Sequence, residues 1–108
     1  MGEWREKTGR AMNGETLRRT VIVKNSQGMH LRPITAFAEL ANKYQSNILV
    51  GRQGEAEMVS GKSPFVLLSV MLVEKGTELI LEAAGPDADQ AMDALVKFFD
   101  DIPDVESV

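Results

Sequence analysis

The sequence predicts an α+β fold in which one four-stranded antiparallel sheet carries three helices on one face. Three observations lead to this prediction. Segments rich in β-branched residues alternate with segments whose apolar residues recur every three or four positions, in the order β-α-β-β-α-β-α. Each predicted helix has an apolar stripe, which must be buried against another layer. A single sheet covered on one face is the simplest arrangement that buries all three stripes.

Composition narrows the possible functions. The chain has 108 residues, which suits one domain with one core, and its net charge of -4 argues against a nucleic-acid binder. It has no cysteine and one histidine, so disulfides and clustered thiolate or histidine metal sites within one chain are excluded. Neither a signal peptide nor an apolar run of membrane-spanning length is visible. We therefore expect a cytoplasmic protein without metal, cofactor or membrane insertion, and nothing in the sequence requires more than a monomer.

The N-terminal part divides into an extension and the first two elements. Residues 1–17 hold six charged residues and three glycines without a hydrophobic period, which predicts a flexible N-terminal extension before a domain at 18–108. A strand is predicted over Thr20–Asn25 and a helix over Arg32–Lys43. The apolar residues at helical spacing are Ile34, Phe37, Ala38, Ala41 and Tyr44.

The middle of the chain predicts two strands and a short helix. The strands are placed at Asn47–Gly51 and Glu55–Val59, with a hairpin turn between them. Ser63 is a candidate N-cap and Pro64 suits the first helical position, so a helix is predicted over Phe65–Leu72. The aliphatic density of that segment is equally compatible with a buried strand, and periodicity alone does not decide between them.

The last part predicts a half-buried strand and a final helix. Residues Thr77–Ala83 partly alternate apolar and polar side chains. Gly85-Pro86-Asp87 opens a helix whose stripe contains alanine, methionine, leucine and phenylalanine, and Ile102-Pro103 ends it. The acidic residues at the start of this helix are stabilised by the positive end of its dipole. The remainder of the chain is a short acidic tail.

The residues Gly28-Met29-His30-Leu31-Arg32-Pro33 form the most conspicuous chemical pattern. Gly28 allows a sharp turn after the strand, and Pro33 marks the first turn of the helix. His30 therefore lies at the edge of a helix N-terminus, where free N–H groups favour an anion. Arg32 offers a permanently charged, planar fork for phosphate oxygens. A nucleophilic ring, a helix start and an arginine are the parts that a phosphohistidine site needs.

This pattern resembles the Gly-x-His-x-Arg-Pro signature of HPr, the histidine-containing phosphocarrier of the bacterial phosphotransferase system (PTS). The resemblance covers about Thr20 to Phe99 and includes the element order. Lys62-Ser63 before an apolar helix is similar to the regulatory serine region of the family. Gly76-Thr77-Glu78-Leu79 and Gly85-Pro86 are similar to its last turn, strand and helix start. The resemblance implies the HPr-like open-faced β-sandwich as the fold.

The resemblance also implies a set of roles and partners. Enzyme I, phosphorylated from phosphoenolpyruvate, would donate a phosphoryl group to Nδ1 of His30, and Arg32 would help to bind it. Phospho-His30 would then donate to an EIIA-type protein of a sugar or nitrogen branch. The chain would act as a phosphoryl carrier and would not turn over a small molecule by itself. Apolar residues at or near the site are candidates for partner docking: Met29, Leu31, Ile34 and Phe65.

Ser63 is a separate candidate site. In some HPr proteins a serine at this place is phosphorylated by an HPr kinase/phosphorylase, and a phosphate there adds negative charge beside a partner-facing surface. This chain departs from the family pattern in having Pro64 after the serine. It also has Leu31 and Ile34 where the family most often has alanine. A plain N-cap serine is the alternative interpretation of Ser63.

Two other functions remain open at this stage. One is a regulatory binding protein of the same fold that acts through Ser63 and the apolar surface while His30 carries no phosphate. The joint presence of His30, Arg32 and Pro33 favours the carrier. The other is a nucleic-acid module on a similar fold, which would need basic residues and exposed aromatic residues on its strands. The acidic balance and the helical placement of most aromatic residues argue against it.

Overall fold

A computed structural model describes residues 16–102 of the protein, so the predictions for residues 1–15 and 103–108 lie outside the described residues. Three helices and four strands follow one another in the predicted order. Their bounds are β1 Thr16–Ile22, α1 Leu31–Ala41, β2 Asn47–Arg52, β3 Met58–Ser60, α2 Pro64–Met71, β4 Glu78–Ala84 and α3 Ala88–Asp101.

The four strands form one antiparallel sheet in the order β1-β4-β2-β3. The last strand in the chain is therefore a central one, with β1 on one side and β2 on the other. Side chains alternate across β4, so that Leu79, Leu81 and Ala83 are buried beneath the helices. Glu82 lies on the opposite face, where Arg18 pairs with it at 3.2 Å. The predicted open sheet with its helices on one face is confirmed.

The helices are joined to the sheet and to each other by an aliphatic and aromatic core. Ile34, Phe37, Ala38 and Ala41 form the buried stripe of α1, as the spacing predicts. The ring centroid of Phe37 lies 5.8 Å from that of Phe98 and 5.7 Å from that of Phe99. Edge-to-face and tilted packing at these separations is favourable. This contact fixes the position of α1, and thus of the motif at its start, relative to α3.

The first strand differs from its prediction. It covers Thr16–Ile22 instead of Thr20–Asn25, and Leu17 is buried opposite Ala83. Thr16 and Leu17 therefore belong to the sheet, although the predicted extension contained them. The adjacent arginines Arg18 and Arg19 obscure the strand pattern, because an edge strand can place such side chains in solvent while it pairs along its backbone.

The segment after Ser63 is a helix, which decides between the two interpretations that its composition allowed. Pro64 occupies its first turn, as predicted, and Leu67, Val70 and Met71 are buried on the side that faces the core. The third strand is shorter than expected and begins at Met58, because the turn at residues 53–54 is followed by three residues without regular secondary structure. Within residues 16–102, no helix combines the length and the apolar character needed to cross a membrane.

Candidate functional site

A tight turn carries the chain from β1 to the start of α1. Gly28 adopts a φ of +71°, and a Cβ added there would overlap with the backbone of Val73 and Glu74. The next amide, that of Met29, donates a hydrogen bond of 2.8 Å to the carbonyl of Val73. Glycine is therefore required at position 28 both for its conformation and for the close approach of the two backbones. The turn is anchored to the segment that precedes β4.

Asn25 fastens the same turn from inside. Its side-chain Nδ2 donates to the carbonyl of Gly28 at 2.6 Å, and its own carbonyl accepts the Gly28 amide at 3.0 Å. The residue is only 6% exposed. Its Oδ1 is buried and has no hydrogen-bond partner within the described part of the chain. A buried acceptor without a donor is costly, so this atom calls for an explanation.

His30 occupies the N-cap position of α1. Its backbone is extended, with φ of -143° and ψ of -173°, and its carbonyl accepts the Ile34 amide at 3.0 Å. The imidazole is half-buried and makes no capping hydrogen bond, so the side chain of His30 does not satisfy the amides of the first turn. The first amides of an α-helix lack intrahelical acceptors, and their partial positive charge attracts anions. A phosphoryl group on this ring would lie beside that charge.

Arg32 lies next to His30 with an exposed side chain. None of the ion pairs formed within residues 16–102 involves its guanidinium group. His30 and Arg32 together line two clefts, one on each side of the start of α1. The cleft toward α3 has a volume of about 420 Å³ and is lined by Asn25, His30, Arg32, Pro33, Ala36, Phe98, Asp101 and Ile102. The cleft along α1 has a volume of about 580 Å³ and is lined by His30, Leu31, Arg32, Thr35, Ala36 and Glu39.

The acidic end of α3 borders the first cleft but is matched by lysines. Asp101 is paired with Lys97 at 2.9 Å, and Asp100 with Lys24 at 2.7 Å. The hydrogen bond from Lys97 to Asp101 raises the pKa of that lysine. Two carboxylates at the negative end of a helix dipole would otherwise be unfavourable. The pairing also reduces the negative charge that a phosphoryl group would meet here.

The four predicted docking residues divide into two pairs. Leu31 is 61% exposed and Phe65 is 86% exposed, so both side chains are available to a partner. Met29 and Ile34 are buried, at 3% and 0% exposure, and their prediction as docking residues is wrong. Ile34 belongs to the core-facing stripe of α1, and the Met29 side chain enters the core beneath the turn.

Ser63 lies at the N-cap of α2, as predicted for a capping serine. Its carbonyl accepts the Leu67 amide at 2.9 Å, which starts the helix. Its hydroxyl, however, makes no capping hydrogen bond. The hydroxyl is therefore not committed to holding the helix, although the backbone position is that of a cap.

Sequence reasoning assigned no site role to four residues that lie outside α1 and line the cleft beside α3. Phe98 was placed in the stripe of the last helix, Ile102 at its end, and Asn25 at the end of the first predicted strand. Asp101 had no assigned role. The distance of α3 from the motif along the chain hides this contact, because only the fold brings the end of α3 beside His30. The signal that could have pointed to Asn25 is its place at the turn before Gly28, where asparagine side chains bond to nearby backbone.

The fold and site together define a small α+β domain that presents a histidine and an arginine at an anion-attracting helix start. Comparison with known proteins agrees. The sequence matches the family described as PTS HPr component, phosphorylation site, over residues 17–101. It is 35% identical over 79 residues to the phosphocarrier protein HPr of Haloferax volcanii, which covers 73% of this chain and 88% of that protein.

Two further relatives give the same answer. The phosphocarrier protein NPr of Proteus mirabilis is 34% identical over 83 residues, covering 76% of this chain and 89% of that protein. The crystal structure of HPr from Thermoanaerobacter tengcongensis superposes with a TM-score of 0.69 at 32% identity, covering 77% of this chain and 90% of that one. The chain belongs to the HPr family of PTS phosphocarriers. Proteins of this family are carriers rather than catalysts.

Proposed function

We propose that this protein accepts a phosphoryl group from phospho-enzyme I on His30 and passes it to an EIIA-type protein. The observation that carries the proposal is the geometry at the start of α1. The His30 ring makes no capping hydrogen bond there, and Arg32 beside it has no ion pair within residues 16–102. Both side chains line the same two clefts. Family membership supports this use of the site.

The acceptance step uses a neutral imidazole. The lone pair of Nδ1 forms a bond to phosphorus while the phosphorus–nitrogen bond of the donor phosphohistidine breaks, and that bonding pair returns to the donor ring. The proton on Nε2 of His30 stays in place. Transfer of this kind depends on positioning and on charge stabilisation of the phosphoryl oxygens. Arg32 and the amides of the first turn supply positive charge for those oxygens.

Donation to EIIA reverses the same step, with phospho-His30 as the donor. The partner must cover the site and exclude water, since this chain buries the ring only half. Leu31 and Phe65 supply exposed apolar surface for that contact. Apolar side chains surrounded by polar residues are typical of such interfaces.

The test is phosphorylation by enzyme I and phosphoenolpyruvate, followed by intact mass. We expect one acid-labile phosphate on the parent protein and none on His30→Ala. Ser63→Ala serves as the matched control, because it should be phosphorylated like the parent. Failure of several active enzyme I proteins to phosphorylate the folded parent would contradict the proposal.

A regulatory role through Ser63 is the second candidate, and one observation favours it. The Ser63 hydroxyl makes no capping hydrogen bond, and Phe65 two residues later is highly exposed. Phosphorylation there would place negative charge beside an apolar docking surface. An HPr kinase/phosphorylase with ATP would then add an acid-stable phosphate to the parent and not to Ser63→Ala. Without such a product, the regulatory candidate is rejected.

A further inference from the structure

The Oδ1 atom of Asn25 has no hydrogen-bond partner within residues 16–102, and the proposed phosphoryl transfer makes no use of it. Asn25 is only 6% exposed, and the nitrogen of its carboxamide already donates to the carbonyl of Gly28. That hydrogen bond fixes the orientation of the group, so Oδ1 cannot exchange places with Nδ2 without losing it. Oδ1 is an acceptor, and its partner must therefore be a donor.

The cleft beside α3 offers few donors to this oxygen. Its apolar wall of Pro33, Ala36, Phe98 and Ile102 has no side-chain donor, and an ionised Asp101 has none either. The remaining side chains are His30 and Arg32. Arg32 is exposed, whereas the His30 ring is half-buried and follows Gly28 by two residues. The carboxamide and the imidazole thus sit at two ends of one fixed turn and border one cleft.

We propose that Asn25 is a positioning residue for His30: a rotation of the imidazole from its orientation in this structure lets Nε2–H donate to the buried Oδ1 of Asn25. This inference rests on the proposed function and deepens it. A hydrogen bond at Nε2 keeps the proton on that nitrogen and leaves the lone pair of Nδ1 for phosphorus. A hydrogen bond at one ring nitrogen of a histidine commonly fixes the tautomer in this way and so decides which nitrogen is reactive.

The chemistry of the transfer explains why a neutral amide suits this position. When Nδ1 bonds to phosphorus, the ring gains positive charge and Nε2–H becomes a stronger donor. The negative end of the amide dipole stabilises that charge in a partly dry site. A carboxylate would stabilise it too, but its full negative charge would repel the incoming phosphoryl oxygens.

The His30 ring can be observed directly, because the protein has a single histidine. Long-range proton–nitrogen correlation spectra at about pH 8 report the tautomer of a neutral imidazole ring. We expect an Nε2–H tautomer whose ring proton is visible in water, because a hydrogen bond slows its exchange. A ring proton that is not visible in the parent overturns the proposal without any variant.

Two variants separate the acceptor from the turn contact. Asn25→Asp keeps an acceptor oxygen but loses the donor to Gly28, whereas Asn25→Leu keeps the branched shape of the side chain and loses both. The proposal predicts that the ring proton persists in Asn25→Asp and disappears in Asn25→Leu. Phosphorylation of Asn25→Leu should slow about tenfold or more, since misplaced reacting groups cost rate. A purely structural role of the side chain predicts that both variants lose the ring signal together, and that result would overturn the inference.

These outcomes also separate this inference from the proposed function. If the ring proton behaves as expected but enzyme I does not phosphorylate His30, the carrier proposal fails and the Asn25–His30 contact stands. If His30 is phosphorylated normally and the ring signal is the same in Asn25→Leu as in the parent, the carrier proposal stands and the Asn25 role fails. Backbone amide spectra of each variant establish that it is folded.

Discussion

The starts of α1 and α3 show two ways in which one chain treats a helix N-terminus. At α3 the N-cap residue is Asp87, whose carboxylate accepts hydrogen bonds from the Gln45 amide at 2.8 Å, the Ser46 amide at 2.9 Å and the Ser46 hydroxyl at 2.6 Å. At α1 the N-cap residue is His30. Neither N-cap side chain makes a capping bond within its own helix, but the first turn of α3 contains Asp89, whereas the first turn of α1 has no acidic residue. The start of α3 therefore has acidic side chains beside it, whereas the partial positive charge at the start of α1 remains available to an external anion.

Every helix N-terminus attracts anions, and the neighbouring side chains determine whether that attraction stabilises the fold or remains available to a ligand. Asp87 joins the start of α3 to the loop before β2, so this end of the fold serves stability. The Ser46 hydroxyl and the Gln45 amide lower the pKa of Asp87. Around His30 the polar groups anchor the backbone of the turn and leave the ring without a capping bond. Variants at the two helix starts test each side of this contrast.

The largest effect should come from breaking the turn that leads to α1. In Gly28→Ala the alanine must adopt a positive φ, and its Cβ overlaps with the backbone of Val73. We therefore expect the substitution to lower the free energy of unfolding by about 3 kcal/mol. Urea denaturation measures the change. Gly54→Ala is the matched control, because Gly54 also has a positive φ but no heavy atom near the added Cβ, and it should cost about 1 kcal/mol. Equal losses in the two variants would show that the approach to Val73 is not tight.

The next effect concerns phosphoryl transfer without loss of stability. Arg32→Ala should slow phosphorylation by enzyme I about a hundredfold, as expected for removal of one charge-stabilising donor. Arg32→Lys should retain part of the rate, because lysine keeps the charge but not the planar fork. The melting temperature should not change, since Arg32 is exposed and forms no ion pair within residues 16–102. Arg19→Ala removes the same charge from an exposed position on the β1 edge, and a similar rate loss there would point to net charge alone.

The smallest effect should lie at the start of α3 and depend on pH. The pKa of Asp87 is lowered in the folded protein from its ordinary value of 3.8. Its contribution to stability is therefore present above that value and is lost as pH falls through the lowered folded pKa. Asp87→Asn should melt a few degrees below the parent at neutral pH, and this difference should shrink in acid.

Asp93→Asn provides the control for this pH dependence. It removes an exposed carboxylate from the same helix, so its melting temperature should follow that of the parent. If the melting temperatures of Asp87→Asn and the parent differ by the same amount at neutral and acid pH, the ionised carboxylate has no stabilising role.

Much of the fold could be predicted because its signals are local. The stripe of α1, Pro64 at the start of α2 and the alternation in β4 each follow from residues within a few positions. The first strand was misplaced because Arg18 and Arg19 read as polar, whereas Arg18 is paired across the sheet with Glu82. The order β1-β4-β2-β3 also joins segments that local pattern cannot connect.

The sequence predicts His30 and Arg32 as residues of the candidate site, but it does not predict which residues surround them. His30 and Arg32 stand in a short motif, so a resemblance could single them out before the fold was known. The burial of Met29 and Ile34 depends on which face of α1 and its preceding turn packs against the core, and the short motif does not predict that orientation. The closeness of Phe98 to His30 depends on the packing of α1 against α3, whereas that of Asn25 follows from the turn that its hydrogen bonds to Gly28 close.

The pairing of β1 with β4 has a consequence for synthesis on the ribosome. The amide of Met29 is held by Val73, and Val21 pairs with Leu79, so the turn that presents His30 is anchored by residues made much later. A nascent chain that ends before those residues has the motif but cannot close the loop that shapes it. Under the proposed function, enzyme I should therefore recognise the site only after β4 has left the ribosome, and incomplete chains would not compete for phosphoryl groups.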